Sequence, residues 1–335
     1  MLKHKKIILI PLSIILLLAV FIFGFPALIL RHLNSQGSTG SKIAYTHIDE
    51  LYFTFPFHLH MKNLQVKMRS NDVTFFEGKD SLIGLDWKEI KRGRILFAGK
   101  LKEYKVQYAP EFEKGLEEVQ AYMMNPGQVV KFSRIKIAES SIVITRYSGV
   151  ENDKYFTLRE LKGKLNNLQV TPERPITRVH LNAKLYGHSH VMVHASFNDK
   201  SRPKEWDVNF ILEKMLLPDL NKILKKELPL VFKSGVLDVY GEAQSKKGHI
   251  EGYLKPFLSD VVIDENDPDR KNPGHTLLSF FTKFYKDEKF KNLSTRIPLI
   301  MEGPLKLDYG EILKKVYEKG LDSKETRGLE NSLKY

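Results

Sequence analysis

From Ile43 onward, apolar and polar residues alternate in short runs, the signature of half-buried strands. "VHLNAKLYG" sets Val179, Leu181, Ala183 and Leu185 on one parity, and "HVMVHASFN" does the same with Val191, Val193, Ala195 and Phe197. "WDVNFILE" adds Trp206, Val208, Phe210 and Leu212. In "VFKSGVLDVYGEAQSKKGHIEGYLKP" the apolar parity is Leu237, Val239, Gly241 and Ala243, then Ile250, Gly252 and Leu254 beyond Lys246-Lys247-Gly248. That pattern predicts a hairpin with one greasy face. "FSRIKIAESSIVITRY" reads as two further strands, carrying Ile135 and Ile137, then Ile142 and Ile144. Short turn-rich connections favour antiparallel pairing of sequence neighbours.

Three segments slip parity. "FHLHMKNLQVKM" passes from Phe57, Leu59 and Met61 to Leu64, Val66 and Met68. "ILFAGKLKEYKVQY" passes from Ile95, Phe97 and Leu101 to Tyr104, Val106 and Tyr108. "LKGKLNNLQV" passes from Leu161 and Leu165 to Leu168 and Val170. A one-residue slip flips the greasy side unless a bulge absorbs the extra residue, so a bent sheet is expected.

Helical stripes are few: Phe112 to Met123, Pro218 to Leu224 ending before Pro229, Leu277 to Phe284, and the tail Tyr309 to Leu321. Beyond Asp322 the chain is polar and expected to fray. Roughly fourteen strands against three or four short helices leave too little helix to cover an apolar sheet face. Either two sheets close on each other, or one sheet folds into a trough.

Charge changes the picture at the N-terminus. Lys3, Lys5 and Lys6 precede Ile7 to Leu30, which holds no charged residue. At ~1.5 Å per residue this run is long enough to cross a ~30 Å hydrocarbon layer, and it exceeds the ~7–15-residue apolar region of a cleaved signal. The expected organisation is a cytoplasmic basic tip (1–6), a transmembrane anchor from Ile7 to Leu30, and a Gly/Ser linker (31–41). A translocated β-rich domain (42–305) and a C-terminal amphipathic helix with a polar tail (306–335) follow. The chain carries 53 Lys and Arg against 40 Asp and Glu. No basic run reaches five residues, so the excess suits anionic lipid head groups or simple solubility better than nucleic acid.

Reactive chemistry is hard to find. There is no cysteine, and no G-x-S-x-G, H-E-x-x-H or P-loop motif. His188, His190 and His194 share a parity, with His180 near them on the next strand, but His190 and His194 would lie ~13 Å apart. They read as a solvated strand face, as do His58 and His60. "DENDPDR" from Asp264 lacks the Gly and Glu of a calcium loop. No metal, cofactor or enzyme activity is expected.

In order along the chain, the anchor, "IDELYFTFPFHLHMKNLQV", "FSRIKIAESSIVITRY…FTLRELKGKLNNLQV" and "LLPDLNKILKKELPLVFKSGVLDVYGEA…GHIEGYLKP" resemble the AsmA-like envelope proteins of Gram-negative bacteria, in the branch formerly labelled a domain of unknown function. The resemblance spans most of residues 43 to 305. It implies a mainly β protein in which an N-terminal transmembrane helix precedes a long, twisted, mostly antiparallel sheet folded into a trough, as in bridge-like lipid transporters. It further implies a protein tethered to the inner membrane, standing in the periplasm, with phospholipids and possible envelope proteins as partners and a role in lipid transport or outer-membrane biogenesis. Fourteen strands would span only about 65 Å, short of the whole envelope. The strand parities designate Val179, Leu181, Leu185, Val191, Val193, Phe197, Val208, Phe210, Leu237, Val239, Ile250 and Leu254 as groove-lining candidates. A non-catalytic assembly scaffold with a closed β-sandwich interior is the competing expectation.

Overall fold

A computed structural model describes residues 31, 44–54, 58–69, 72–93, 95–108, 132–147, 152–167, 176–198, 205–221, 231–263, 292–294, 296–302 and 326–331. The expected anchor from Ile7 to Leu30, the linker beyond Arg31, the 264–270 loop and the stripes at 112–123, 277–284 and 309–321 lie outside these residues. Among the described residues no helix is long and apolar enough to cross a membrane. The chain is mainly β, with 14 strands among the described residues, and it divides into two compact units, 1–154 and 155–335.

The first unit holds β1 (Ala44–His47), β2 (Glu50–Thr54), β3 (His58–Met68), β4 (Thr74–Leu85), β5 (Phe97–Tyr108) and β6 (Phe132–Tyr147). β1 and β2 both pair with β3, and β4, β5 and β6 follow in order. Every pair is antiparallel except β5–β6, which is parallel; the long connection between these two strands frees them from the hairpin constraint. A single helical turn, α1 (Trp87–Ile90), is capped by Asp86, whose carboxylate accepts from the Lys88 N–H at 3.1 Å and from the Ser133 hydroxyl at 2.6 Å.

The parity slips in this unit are single residues with left-handed backbone. Asn63 (φ 51°) fills the gap between Met61 and Leu64, and Glu103 (φ 56°) the gap between Leu101 and Tyr104. Glu139 (φ 52°) does the same inside β6, so the segment read as two strands is one 16-residue strand. The three residues stand level across the sheet. Lys62, Asp80, Lys102 and Ala138 pair on one side of the level, and Leu64, Gly78 and Tyr104 on the other, so the count is kept. Tyr104, level with Gly78, lies over that glycine and hydrogen-bonds Ser81, so residues of opposite parity share one face. A left-handed non-glycine costs about 1–2 kcal/mol. Polar pairs sit along the seam: Asn63 with Asp49 at 2.9 Å, Lys79 with Glu103 at 2.9 Å, and Lys102 with Glu139 at 3.3 Å.

The second unit runs in simple order through β7 (Asn152–Asn166), β8 (Ile176–Leu185), β9 (Ser189–Asn198), β10 (Glu205–Leu216), β11 (Phe232–Lys246) and β12 (His249–Ile263). The strand β12 then pairs with both β13 (Asn292–Ser294) and β14 (Ile297–Glu302). Each of these pairings is antiparallel. The hairpin expected around Lys246-Lys247-Gly248 is present, with Lys247 (φ 52°) and Gly248 (φ 84°) both left-handed as a two-residue I′ turn demands. Bulges at Glu160 and Lys214 shift the register of β7 against β8 and of β10 against β11. In "LKGKLNNLQV" a left-handed residue falls in the gap between Leu165 and Leu168, as the spacing predicts. Left-handed Asn167 (φ 55°) sits just past the end of β7, and Leu168 and Val170 lie outside the described residues. The expected helix at Pro218 begins, with helical backbone over 217–221, and the remainder of that stripe is outside the described residues.

Candidate functional site

In an antiparallel ladder, directly opposite residues stand on the same side of the sheet. The second unit's register therefore groups its apolar positions into rows. One runs Leu165, Val179, Ala195, Val208, Ala243 and Gly252; the next runs Gly163, Leu181, Val193, Phe210, Gly241 and Leu254. Val191, Leu212 and Val239 form a third, and Phe197, Trp206, Ser245 and Ile250 a fourth. Leu185 and Leu237 extend the same parity at the bulge end. All twelve candidates from the sequence thus share one face. Trp206 and Ala195, on the same parity, belong with them, and the alternation that picked out the twelve also marks these two.

Among the described residues, the largest buried apolar side chains of that face gather at its bulge end. Leu185, Leu212 and Met215 are buried together, with Tyr186 and Leu220 packed onto them, where the chain turns helical after β10. Leu217, Phe232 and Val261 form an adjoining core that Leu220 also touches. Away from the bulges, Val179, Leu181, Val193, Val208 and Leu254 are only half-buried, and Phe197 is exposed. Ile250 is buried at the β12 edge, beside β14. A fully sealed sandwich interior would bury such side chains throughout.

The opposite face of β11 and β12 carries the polar parity and is the better covered of the two. Asp238, Tyr240, Glu242, Gln244, Tyr253, Lys255 and Phe257 are all buried. Residues 326–331, within the segment expected to fray, lie over Asp238, Glu242, Tyr253, Lys255 and Phe257. The Lys255 ammonium donates to the Thr326 carbonyl at 3.1 Å and lies 3.5 Å from the Glu330 carboxylate. The Glu330 N–H donates to the Tyr253 hydroxyl at 2.7 Å, and the Asn331 N–H to Glu242 Oε1 at 2.6 Å. Arg327 pairs with Asp238 at 3.2 Å, and Arg296 with Glu330 at 3.1 Å while lying over the Tyr253 ring. Burial tends to raise the Glu330 carboxyl, but Arg296 and Lys255 outweigh it and hold the group below its ordinary range. Burial pushes the Tyr240 hydroxyl up to about 12, and donation to Glu213 at 2.9 Å adds to the shift. The polar letters of this tail hid its docking, because its partners are scattered over β11, β12 and the 296 position.

His180, His190 and His194 lie on the polar side of the second unit, as their parity predicts. His180 and His194 are directly paired across β8 and β9, with ring centroids 4.7 Å apart. Burial, then the neighbouring His180, lowers the His194 pKa. His188 sits in the β8–β9 turn and contacts Asp219 at 2.8 Å. His60 stacks on Tyr52 at 4.9 Å. Among the described residues, no three His, Asp or Glu side chains gather as a metal cluster would require. No family model matches the sequence, and no curated protein matches it either.

Proposed function

We propose that this protein binds lipid acyl chains on the apolar face of its second unit, as an AsmA-like, inner-membrane-anchored periplasmic carrier or partial conduit. It would act in phospholipid transport or outer-membrane biogenesis. The observation that carries the reading is the half-open row structure described above: an apolar strip six strands wide, closed at its bulge end and accessible beyond it. From the Leu212 level to the Trp206 level the strip measures about 20 Å at ~3.4 Å per residue. A single acyl chain spans about 15 Å, half of a ~30 Å hydrocarbon core. Leaving the bilayer costs a lipid ~0.8 kcal/mol for each CH₂ exposed to water, and an apolar strip of this length offsets much of that cost. Such binding needs no nucleophile and no group of unusual pKa. Bending of the sheet by its bulges supports a trough over a flat sheet.

The test places a photo-crosslinking residue in the full chain inside cells, at Val193 on the apolar face or at Asn209 on the polar one. Phospholipid is expected on the Val193 probe and not on the Asn209 probe, and Leu181→Asp is expected to abolish capture while β8 and β9 still form. Capture of a protein alone at both positions, with Leu181→Asp merely unfolding the unit, would replace this reading with that of the closed scaffold.

A further inference from the structure

The polar side of the second unit is divided by charge. Its β10–β12 half carries Asp207, Glu213, Asp238, Glu242 and Glu251, each with a partner already in place. Its β7–β9 half carries Arg159, Lys162, Lys164 and Arg178, all exposed, on the face set by the pairs Arg159–Lys184, Lys162–Asn182, Lys164–His180 and Asn166–Arg178. The one acid at this level, Glu160, is held by Lys184 at 2.9 Å. Among the described residues none of the four exposed cations forms an ion pair. Met192, which pairs with Asn182, is exposed in their midst.

We propose that the polar face of β7–β9 is a docking surface for a bilayer containing anionic phospholipid. The warrant is charge complementarity over a broad sheet face. Four exposed cations on adjacent strands, none in an ion pair among the described residues, match a plane of phosphates, and each basic residue near such a surface contributes about 1 kcal/mol. An exposed Met among them suits the boundary between head groups and acyl chains. None of the described side chains on this face is Phe, Tyr or Trp, so the stacking platform that single-stranded nucleic acid uses is missing from it. The proposal concerns the side opposite the acyl-binding strip, and either can fail without the other.

The chain has no cysteine, so Asn182→Cys gives the full-length protein a single site for a nitroxide label. Label depth is read by power saturation with phosphatidylcholine vesicles and with 7:3 phosphatidylcholine–phosphatidylglycerol vesicles, and binding by sedimentation. The apolar N-terminal run partitions into either vesicle, so the difference between the two is the readout. The label is expected to move to the head-group depth with the anionic vesicles alone, and added salt should reverse the shift. Substituting Arg159, Lys162, Lys164 and Arg178 by Gln should weaken the anionic-lipid increment about tenfold or more. Lys88, Lys91 and Lys247, exposed elsewhere, should be replaceable by Gln without that loss. The milder pair Lys162→Gln and Lys164→Gln serves if circular dichroism shows that the fourfold variant unfolds. Equal depth in both vesicles, or a folded variant that keeps the full increment, overturns the proposal. So does a label that responds to polyglutamate or a DNA oligonucleotide and not to vesicles.

Discussion

The two faces of the β11–β12 hairpin are covered in the reverse of the usual order. Its polar side, with Glu242, Lys255 and Tyr253 at its centre, is almost wholly withdrawn from solvent, whereas Val239 and Leu254 on its greasy side stay half-exposed. Strands that face water on one side ordinarily put the polar parity there. Here six residues of tail are laid on the polar side, and their backbone and charges complete its hydrogen bonds. Among the described residues, the greasy side is covered where Leu220 and Tyr186 meet the bulges and, at its other end, around Ile250 beside β14. The contrast teaches that burial in this unit follows the availability of partners and not the polarity of the letters. On the proposed reading, the apolar face left half-exposed is the one that receives the acyl chains.

The largest test of the contrast sets one residue from each side against the other. Tyr253, fully buried, should lose about 3–5 kcal/mol on replacement by Ala, whereas half-buried Val193→Ala should lose about 1 kcal/mol or less. Urea denaturation measures both. Equal losses would mean that the apolar side is as closed as the polar one. Next in size, deletion of residues 326–335 should lower stability by about 2 kcal/mol through the lost hydrogen bonds to Glu242, Tyr253 and Lys255. Amide exchange should then rise along β11 and β12 and stay unchanged in β3–β6.

A smaller effect is tied to pH. Glu330 titrates below its ordinary 4.5 in the folded chain, so its contribution is complete above that value and disappears as pH falls through the lower folded one. Amide protection at 330 and 331 should hold from neutral pH to about 5 and drop in the acid range. Protection at 330 and 331 that Glu330→Gln leaves unchanged would exclude the Arg296–Glu330–Lys255 cluster as the tail's fastening. Smallest of all, Glu139→Gly should stabilise the first unit by up to about 1 kcal/mol, since glycine accepts the left-handed backbone freely. Loss of the Lys102 pair subtracts little from that gain.

Much of the apolar strip was legible because strand alternation has a period of two and the eye can follow it from Val179 to Leu254. The slips at Asn63 and Glu103 were legible too, as gaps of three between apolar letters. The single strand β6 was not, because a left-handed Glu139 looks the same on paper as a turn between two strands. Nor was the parallel step from β5 to β6, since nothing local in either strand fixes the direction of its neighbour. The split of charge between β7–β9 and β10–β12 escaped notice because the basic residues are dispersed singly along three strands.

What the sequence by itself determined was the strand character, the turn at Lys247-Gly248 and the identity of the greasy parity. All three depend on residues within a few positions of one another. The tertiary structure alone decided which parity is covered. Coverage of the polar side depends on Arg327, Glu330 and Asn331 meeting groups more than seventy positions away, and such contacts leave no periodic mark in the chain. The open part of the apolar strip is decided at the same level, by which hydrophobic elements reach it and which do not.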